Sequence, residues 1–518
     1  MSAKFDPPVE HILQEYILLT DKVQYGVGIN DIDLSTPITR YSRGGEPEIK
    51  LNIPILSAAM QSVSGAYMAE ALAMAGGLGI VYRSQTPENQ AAMVRKVKEY
   101  KGGFVEPDVF SPDSTIADVE ARIQKRGYST FPVTGDGKPS GQLIGYITEK
   151  DFYAQKHRDL KVKDRMIGID RITYAKLADV IDGGTPSLQK AYDALIDSHH
   201  SSLPIVNDDL ELLYVVFKRD AESRLSNPHE LLDKKRRLMC AAAISTHQDD
   251  YETRMKLLMA ADVDMVWIDA SQGMSDYMID AIKFVEDNYD VPTGSGNIIT
   301  EKGFNMHAEA GSHAVCVGMG SGYICSTQLE KRTGRGQATA VVEVAAARDA
   351  WYERTGDYIP IISDGGVAHF ADITVALELG ADAVKVGRLI AGCKESPTKV
   401  VTIRGNEQVK PYWGEGSRRA WKWAPERYEQ NIFEEGFLTV VPYVGPLKPY
   451  MNKGLAKVSA GIRDVSCKNL SELHARKGMD LRLMSKQMKE ENELKREAAI
   501  DIELAFMEAE DELNSLES

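Results

Sequence analysis

Short apolar runs recur along the chain, and between them lie stretches whose apolar residues return every three or four positions. The runs are Ile53–Met60, Leu78–Tyr82, Leu238–Ile244, Val263–Ile268, Val291–Asn297, Ala314–Gly318, Tyr358–Ser363 and Ala383–Gly387. Consecutive apolar positions over so few residues suit strands buried on both faces. The segments Ala66–Ala75, Gln90–Tyr100, Tyr251–Ala260, Met274–Asn288, Ala338–Thr355 and Phe370–Leu379 carry the helical period instead. Strands alternating with helices imply a parallel sheet, and eight such units predict an α/β fold, the closed (β/α)8 TIM barrel.

The alternation breaks once, between the second and third runs. Residues 106–225 hold two similar halves, STFPVTGDGKPSGQLIGYITEKDF at 129–152 and SSLPIVNDDLELLYVVFKRDA at 201–221. Each has a small-residue start, a strand, a turn, a second strand, and a basic–acidic pair opening a helix. An internal duplication of this kind predicts two stacked copies of one small unit. The expected organisation is therefore a first part of the barrel over 1–105 and the inserted pair over 106–225. A second part of the barrel, with a flap, follows over 226–483. The tail, 484–518, is rich in Glu, Lys, Met, Leu and Ala and reads as a charged helix, either solvated or partner-binding.

Composition agrees with several cores: 518 residues, 43% apolar and 26% charged. A net charge of −15 argues against a nonspecific nucleic-acid or anionic-membrane binder, either of which gains affinity from clustered Lys and Arg. No apolar run is long enough to span a bilayer, and the start lacks the pattern of a secretory signal. Cys240, Cys316, Cys325, Cys393 and Cys467 are scattered and odd in number, without CxxC spacing. That usage fits a reducing compartment, so a cytoplasmic location is expected and a disulfide scaffold or zinc ribbon is not.

In a closed parallel barrel the chemistry sits at the C-terminal ends of the strands. Those positions here are Ala59–Met60, Asp269–Ser271, Gly296–Asn297, Gly318–Thr327, Asp364–Gly366 and Gly387–Arg388. The last two follow strands seven and eight, where glycines let backbone N–H groups approach a phosphate and Arg388 adds a charged donor. Gly318–Thr327 resembles a dinucleotide fingerprint only superficially, because Tyr323 takes the third glycine's place and no open sheet surrounds it. The loop instead presents Cys325, either an inert small apolar residue or a nucleophile whose thiolate Lys331, Arg332 and Arg335 would favour. Tyr412–Ser417 and the RRAWKWAPERYEQ stretch at 418–430 lie beyond the eighth strand and read as a lid or a surface loop.

GMGSGYICSTQLEKRTGRGQATA at 318–340, SDGG at 363–366, YWGEGS at 412–417 and the Arg427–Tyr428 pair resemble the inosine monophosphate dehydrogenases. That group lies within the IMP dehydrogenase / GMP reductase family. The resemblance runs from the N-terminal region to about residue 450. The two inserted halves resemble CBS domains, which pair and often bind purine nucleotides, adenine ones above all; a docking or spacing module fits the same residues.

The resemblance implies NAD-dependent oxidation of IMP to XMP. Cys325 would attack C2 of the base, hydride would pass to NAD, and the flap at 412–430 would close before water hydrolyses the covalent adduct. It implies Arg427 as general base, Tyr428 and Thr327 orienting the water, and Glu435 as a second proton route. IMP would meet Asp364 at its ribose and Gly365, Gly366, Gly387, Arg388 and Tyr412 at its phosphate. Met60, Gly414, Glu415, Gly416 and Glu435 would surround the base. Asp269, Ser271, Asn297, Gly318 and Gly320 would line the cofactor side. The family's potassium site uses carbonyls corresponding to Gly320, Gly322 and Cys325, and a homotetramer is implied. Three departures qualify this picture. Tyr323 stands where the family usually has a phosphate-bonding Ser, so that contact is expected to be altered. Cys316 occupies a commonly basic position, which predicts weaker cofactor affinity. No Glu-Gly-Gly segment stands near the C-terminus, which counts against potassium activation. Two alternatives stay open: GMP reductase, an NADPH-dependent enzyme lacking the Arg–Tyr pair, and a non-catalytic nucleotide-sensing or filament-forming protein.

Overall fold

The computed structural model describes residues 9–494 except 24, 100–102, 106, 127–128, 183–184, 228, 404–405, 421–432 and 493. Two compact units share the chain, Met1–Arg95 with Cys240–Ser518, and Lys96–Met239. Among the described residues no helix is long and apolar enough to cross a membrane.

The first unit is built on eight parallel strands: β1 Ile55–Ser57, β2 Gly79–Val81, β3 Cys240–Ile244, β4 Met265–Asp269, β5 Thr293–Ile298, β6 Ala314–Val317, β7 Ile361–Asp364 and β8 Ala383–Val386. Their order is β1-β8-β7-β6-β5-β4-β3-β2, and a parallel bridge between Leu56 and Leu78 closes the ring. The predicted (β/α)8 barrel is therefore the observed fold. Every position of β3 is buried, as a strand enclosed on both faces requires. Trp267 of β4 fills the interior, and β5 makes room with Gly294, where a Cβ would fall 2.5 Å from the indole.

Helices coat the ring: α1 Ala66–Met74, α2 Pro87–Lys98, α3 Gln248–Met259, α4 Asp276–Asn288, α5 Glu301–Ala310, α6 Gln337–Thr355, α7 Phe370–Glu378 and α8 Leu447–Asp464. The side chains of Ser275 and Thr300 accept the Met278 and Gly303 N–H groups and so start α4 and α5. Between β8 and α8 the chain makes an excursion whose antiparallel sheet joins Val401–Thr402, Gln408–Trp413 and Leu438–Pro442. The run expected over Tyr358–Ser363 is split. Asp357–Tyr358 pairs with Tyr41–Ser42, and the barrel strand begins only at Ile361, after Pro360.

The second unit begins ten residues before the boundary expected at 106, because Phe104–Val105 pairs antiparallel with Val215–Val216. Its two halves repeat one design. Thr130–Thr134 pairs with Leu143–Thr148, and Ser202–Val206 with Leu212–Phe217, each pair slipping register at the same place, Val133/Thr134 and Ile205/Val206. Each half has its own apolar core, one around Phe131 and Val133, the other around Leu203 and Ile205.

Candidate active site

A cleft of about 340 Å³ opens at the C-terminal ends of the barrel strands. It is lined by Met60 beyond β1, Asp269 and Ser271 at the end of β4, Asn297 on β5, and Gly322, Tyr323, Cys325 and Thr327 after β6. Asp364, Gly365 and Gly366 come from β7, Gly387 and Arg388 from β8, and Tyr412, Gly414, Glu415, Gly416 and Glu435 from the excursion.

Cys325 is half-buried and unpaired in any disulfide. Its thiol donates to the Thr327 hydroxyl at 3.1 Å, and that hydroxyl donates to Glu435 at 3.0 Å. Lys331 caps the chain with its ammonium 3.1 Å from the same carboxylate. Backbone pairing fixes the arrangement: Cys325 bridges Gly436, and the Phe437 N–H donates to the Ile324 carbonyl at 2.9 Å. Thiol, hydroxyl and carboxylate in line form a path by which a proton can leave sulfur. Two of the three basic residues expected near the thiol are paired with carboxylates. Lys331 serves Glu435, and Arg335 turns to Glu343 and Glu10.

Opposite the thiol, Asp364 accepts from the Asn297 amide at 2.9 Å and lies 3.0 Å from the Lys385 ammonium. Gly365 and Gly366 hold φ of +92° and +72°, a left-handed conformation open to glycine and strained for other residues. The Arg388 guanidinium lies 3.7 Å from the centre of the Tyr323 ring, which is 59% exposed. The altered residue at 323 therefore stacks on the very arginine expected to meet a phosphate. Tyr412 is buried, and burial pushes its phenol well above the ordinary range.

The stem of the expected flap is tied to the loop after β1. The Ser62 hydroxyl donates to the Trp413 carbonyl at 2.9 Å, and the Gln61 N–H donates to Glu415 at 2.6 Å. Arg427 and Tyr428 lie outside the described residues.

Gly318 and Gly320 do not line the cleft. Gly318 sits behind it, where a Cβ would fall 2.1 Å from the Asp364 carbonyl, and its own carbonyl accepts from Asn297. The Gly322 carbonyl accepts the Cys325 N–H at 3.0 Å.

Sequence reading missed Lys385 and Gln14. Lys385 could have been found as a lone charge within an otherwise apolar barrel strand. Gln14, whose amide donates to the Gly366 carbonyl at 2.6 Å and to Asp372 at 2.7 Å, lies hundreds of positions from its partners and carries no local signal.

A family model for the IMP dehydrogenase / GMP reductase domain matches residues 12–493. The chain belongs to that family. It is accordingly an oxidoreductase. The inosine-5'-monophosphate dehydrogenase of Tritrichomonas foetus is 38% identical over 475 residues, 90% of this chain and 92% of that protein. That of Toxoplasma gondii is 34% identical, covering 78% of this chain and 69% of that protein. Among solved structures, the family's GMP reductase from Trypanosoma brucei, in complex with guanosine 5'-monophosphate, superimposes with a TM-score of 0.76. It is 25% identical, over 94% of this chain and 98% of that one.

Proposed function

We propose that this chain oxidises IMP to XMP with NAD as hydride acceptor. The observation that carries the reading is the Cys325–Thr327–Glu435 chain, whose thiol opens onto a cleft also lined by Asp364 and Asp269. Asp364 would take the ribose hydroxyls of IMP. The N–H groups of Gly365, Gly366 and Gly387, with Arg388 and Tyr412, would receive its phosphate. Met60, Gly414, Glu415 and Gly416 would enclose the base. The cofactor side fits a dinucleotide: the Asn297 Oδ1 is buried without a hydrogen-bond partner, an acceptor suited to a carboxamide N–H, and Asp269 and Ser271 stand beside it for the ribose.

The thiol proton passes to Thr327 as that hydroxyl's own proton passes to Glu435, leaving a thiolate. Sulfur would bond to C2 of the hypoxanthine as the electron pair of the C2–H bond leaves as hydride, which NAD held by Asp269, Ser271 and Asn297 would accept. Cys325 then holds the purine as a thioimidate. Water would add at C2 and its proton would pass to Arg427 in its neutral form, that side chain having first given up its own proton to solvent, with Tyr428 and Thr327 orienting the water. The C–S bond breaks, its electrons return to sulfur, and XMP is released.

A second reading, reductive deamination of GMP, has the Trypanosoma brucei complex in its favour. The sequence pair Arg427–Tyr428 favours the dehydrogenase. Paired absorbance assays decide: IMP with NAD should generate NADH, and GMP with NADPH should leave NADPH unchanged. Loss of NADPH with GMP alone would overturn the proposal, and silence in both would favour the non-catalytic reading. In the same proposal Lys96–Met239 is a tandem CBS pair that binds purine nucleotides, supported by its repeated strand pairs. The assembly is a homotetramer in the cytoplasm.

A further inference from the structure

Lys385 stands in the middle of β8 with its side chain inside the barrel, only 2% exposed. Its ammonium lies 3.0 Å from Asp364 Oδ2 and 3.5 Å from Asp269 Oδ1. The Trp267 ring lies 5.2 Å from the same nitrogen, and the Cys316 thiol on β6 is a further hydrogen-bond partner. The two carboxylates end different strands, β7 and β4, and both line the cleft. Burial by itself drives an ammonium toward neutrality, but the two carboxylates outweigh it and hold Lys385 firmly charged. With no cation between them, Asp364 and Asp269 would face each other as like charges across the cleft floor.

We propose that Lys385 is a positioning residue, holding the Asp364 and Asp269 carboxylates in the arrangement that receives the ribose hydroxyls of nucleotide and dinucleotide. It acts through those carboxylates, from the part of the cleft that its own side chain lines. The inference rests on the dehydrogenase reading for the identity of the ligands. The neighbouring thiol shows where an alternative cation would have to stand, because a lysine at 316 would reach the same space from β6.

The test compares wild type with Lys385→Met and with the double variant Lys385→Met/Cys316→Lys. Steady-state constants for IMP and NAD are measured alongside calorimetric affinity for IMP and 2'-deoxy-IMP. In Lys385→Met, KM for IMP and for NAD should each rise roughly 30-fold, as expected on truncating one partner of a buried charge cluster. The fall in kcat should be smaller. The wild-type preference for IMP over 2'-deoxy-IMP should shrink about tenfold, and the double variant should restore it. Unchanged KM values, or weaker binding with the preference intact, would overturn the proposal, since a packing role loses affinity without regard to the ribose. If Lys385→Met does not fold, the double variant decides. Recovery of fold and preference supports the inference, while recovery of fold alone, or of neither, overturns it. Wild-type inactivity with IMP and NAD would sink the dehydrogenase reading but leave the calorimetric comparison standing.

Discussion

The barrel unit and the inserted unit bury different kinds of side chain. The barrel unit encloses Arg254, Arg348, Asp372, Glu378, Asp382, Lys385 and Lys410 at a few per cent exposure or less. The inserted unit fills its two halves with Phe, Ile, Val, Leu and Ala, and its buried charges, Lys98 and Glu230, stand near its ends. Ion pairs such as Lys161–Asp113 and Lys176–Asp208 lie at its surface. Apolar burial is non-directional and suffices to stack two copies of a small unit. A buried charge is costly unless paired, and a paired one fixes the distance between particular elements. Arg348 of α6 reaches the Gly380 carbonyl at 2.6 Å and Asp382 at 3.0 Å, and Asp382 also receives the Tyr358 hydroxyl and the Ile361 N–H. One cluster thus sets the lead-in to β7 and β8, whose far ends carry Asp364 and Arg388.

The sharpest test of that division concerns chemistry. If catalysis belongs to the barrel mouth, Cys325→Ala should lower turnover by about 10⁴-fold or more. IMP should still bind, because the nucleotide's other partners remain. Calorimetry beside the absorbance assay checks both halves, and retained turnover would remove the covalent mechanism. Next in size is the buried cluster. Arg348→Met leaves Asp382 buried and uncompensated, so the barrel unit should lose about 3–5 kcal/mol against denaturant. Lys161→Met, in an exposed pair of the inserted unit, should leave the unfolding midpoint unchanged. Equal effects of the two variants would break the comparison.

Both units were largely legible in the sequence, for the same reason that they differ. Strands enclosed on both faces write themselves as unbroken apolar runs, so β3, with CAAAI, and β6, with AVCV, stand out. A duplicated unit repeats its strands, as STFPVT and SSLPIV do. Helix α5 was not legible. Gly303 and Asn305 interrupt its apolar period, and Gly303 is there because a Cβ would fall 2.9 Å from Ile298. Helix α8 hides similarly behind Gly454, which lies against the Phe370 ring. In the site, residues at strand ends could be named from position alone. Lys385 shows in the sequence only as a lone charge in a barrel strand, and its meaning depends on carboxylates 21 and 116 residues away that only the closed barrel brings together. The same holds for the boundary of the inserted unit, which depends on Phe104–Val105 finding a partner more than a hundred residues on.

The inserted unit's dependence on apolar packing gives the third expectation. Phe131 is fully buried in the first half and packs edge-on against Phe110 at 5.2 Å. Phe131→Ala should destabilise that unit by about 3–4 kcal/mol through the lost burial and the remaining cavity. Turnover at the barrel mouth should persist, since no residue lining the cleft comes from 96–239. Loss of turnover in a folded variant would mean that the two units share more than a chain.

The smallest expected effect separates the units by the sign of their response to pH. Glu378 on α7 is fully buried, and burial, with the charge of Asp480 adding and Arg476 opposing, raises its pKa to about 7. Below pH 4.5 the carboxyl is neutral folded and unfolded alike. Between 4.5 and about 7 only the unfolded chain ionises, so this group's contribution to stability falls as pH rises, and it levels off above that window. At about 1.4 kcal/mol per pKa unit the fall amounts to roughly 3 kcal/mol. Glu378→Gln keeps the volume without the charge, so its unfolding free energy should lack that decline and should exceed wild type above pH 7. In the inserted unit Asp113 behaves oppositely. Lys161 and Lys163 hold its pKa down to about 2, so the stability it lends is present above pH 3.8 and is lost only as pH falls toward 2. Being exposed, that pair contributes little. Denaturant titrations of wild type and Glu378→Gln at pH 5 and pH 8 measure the difference. A parallel response in both proteins would mean that Glu378 ionises freely in the fold, and that burial of charge in the barrel is looser than its geometry implies.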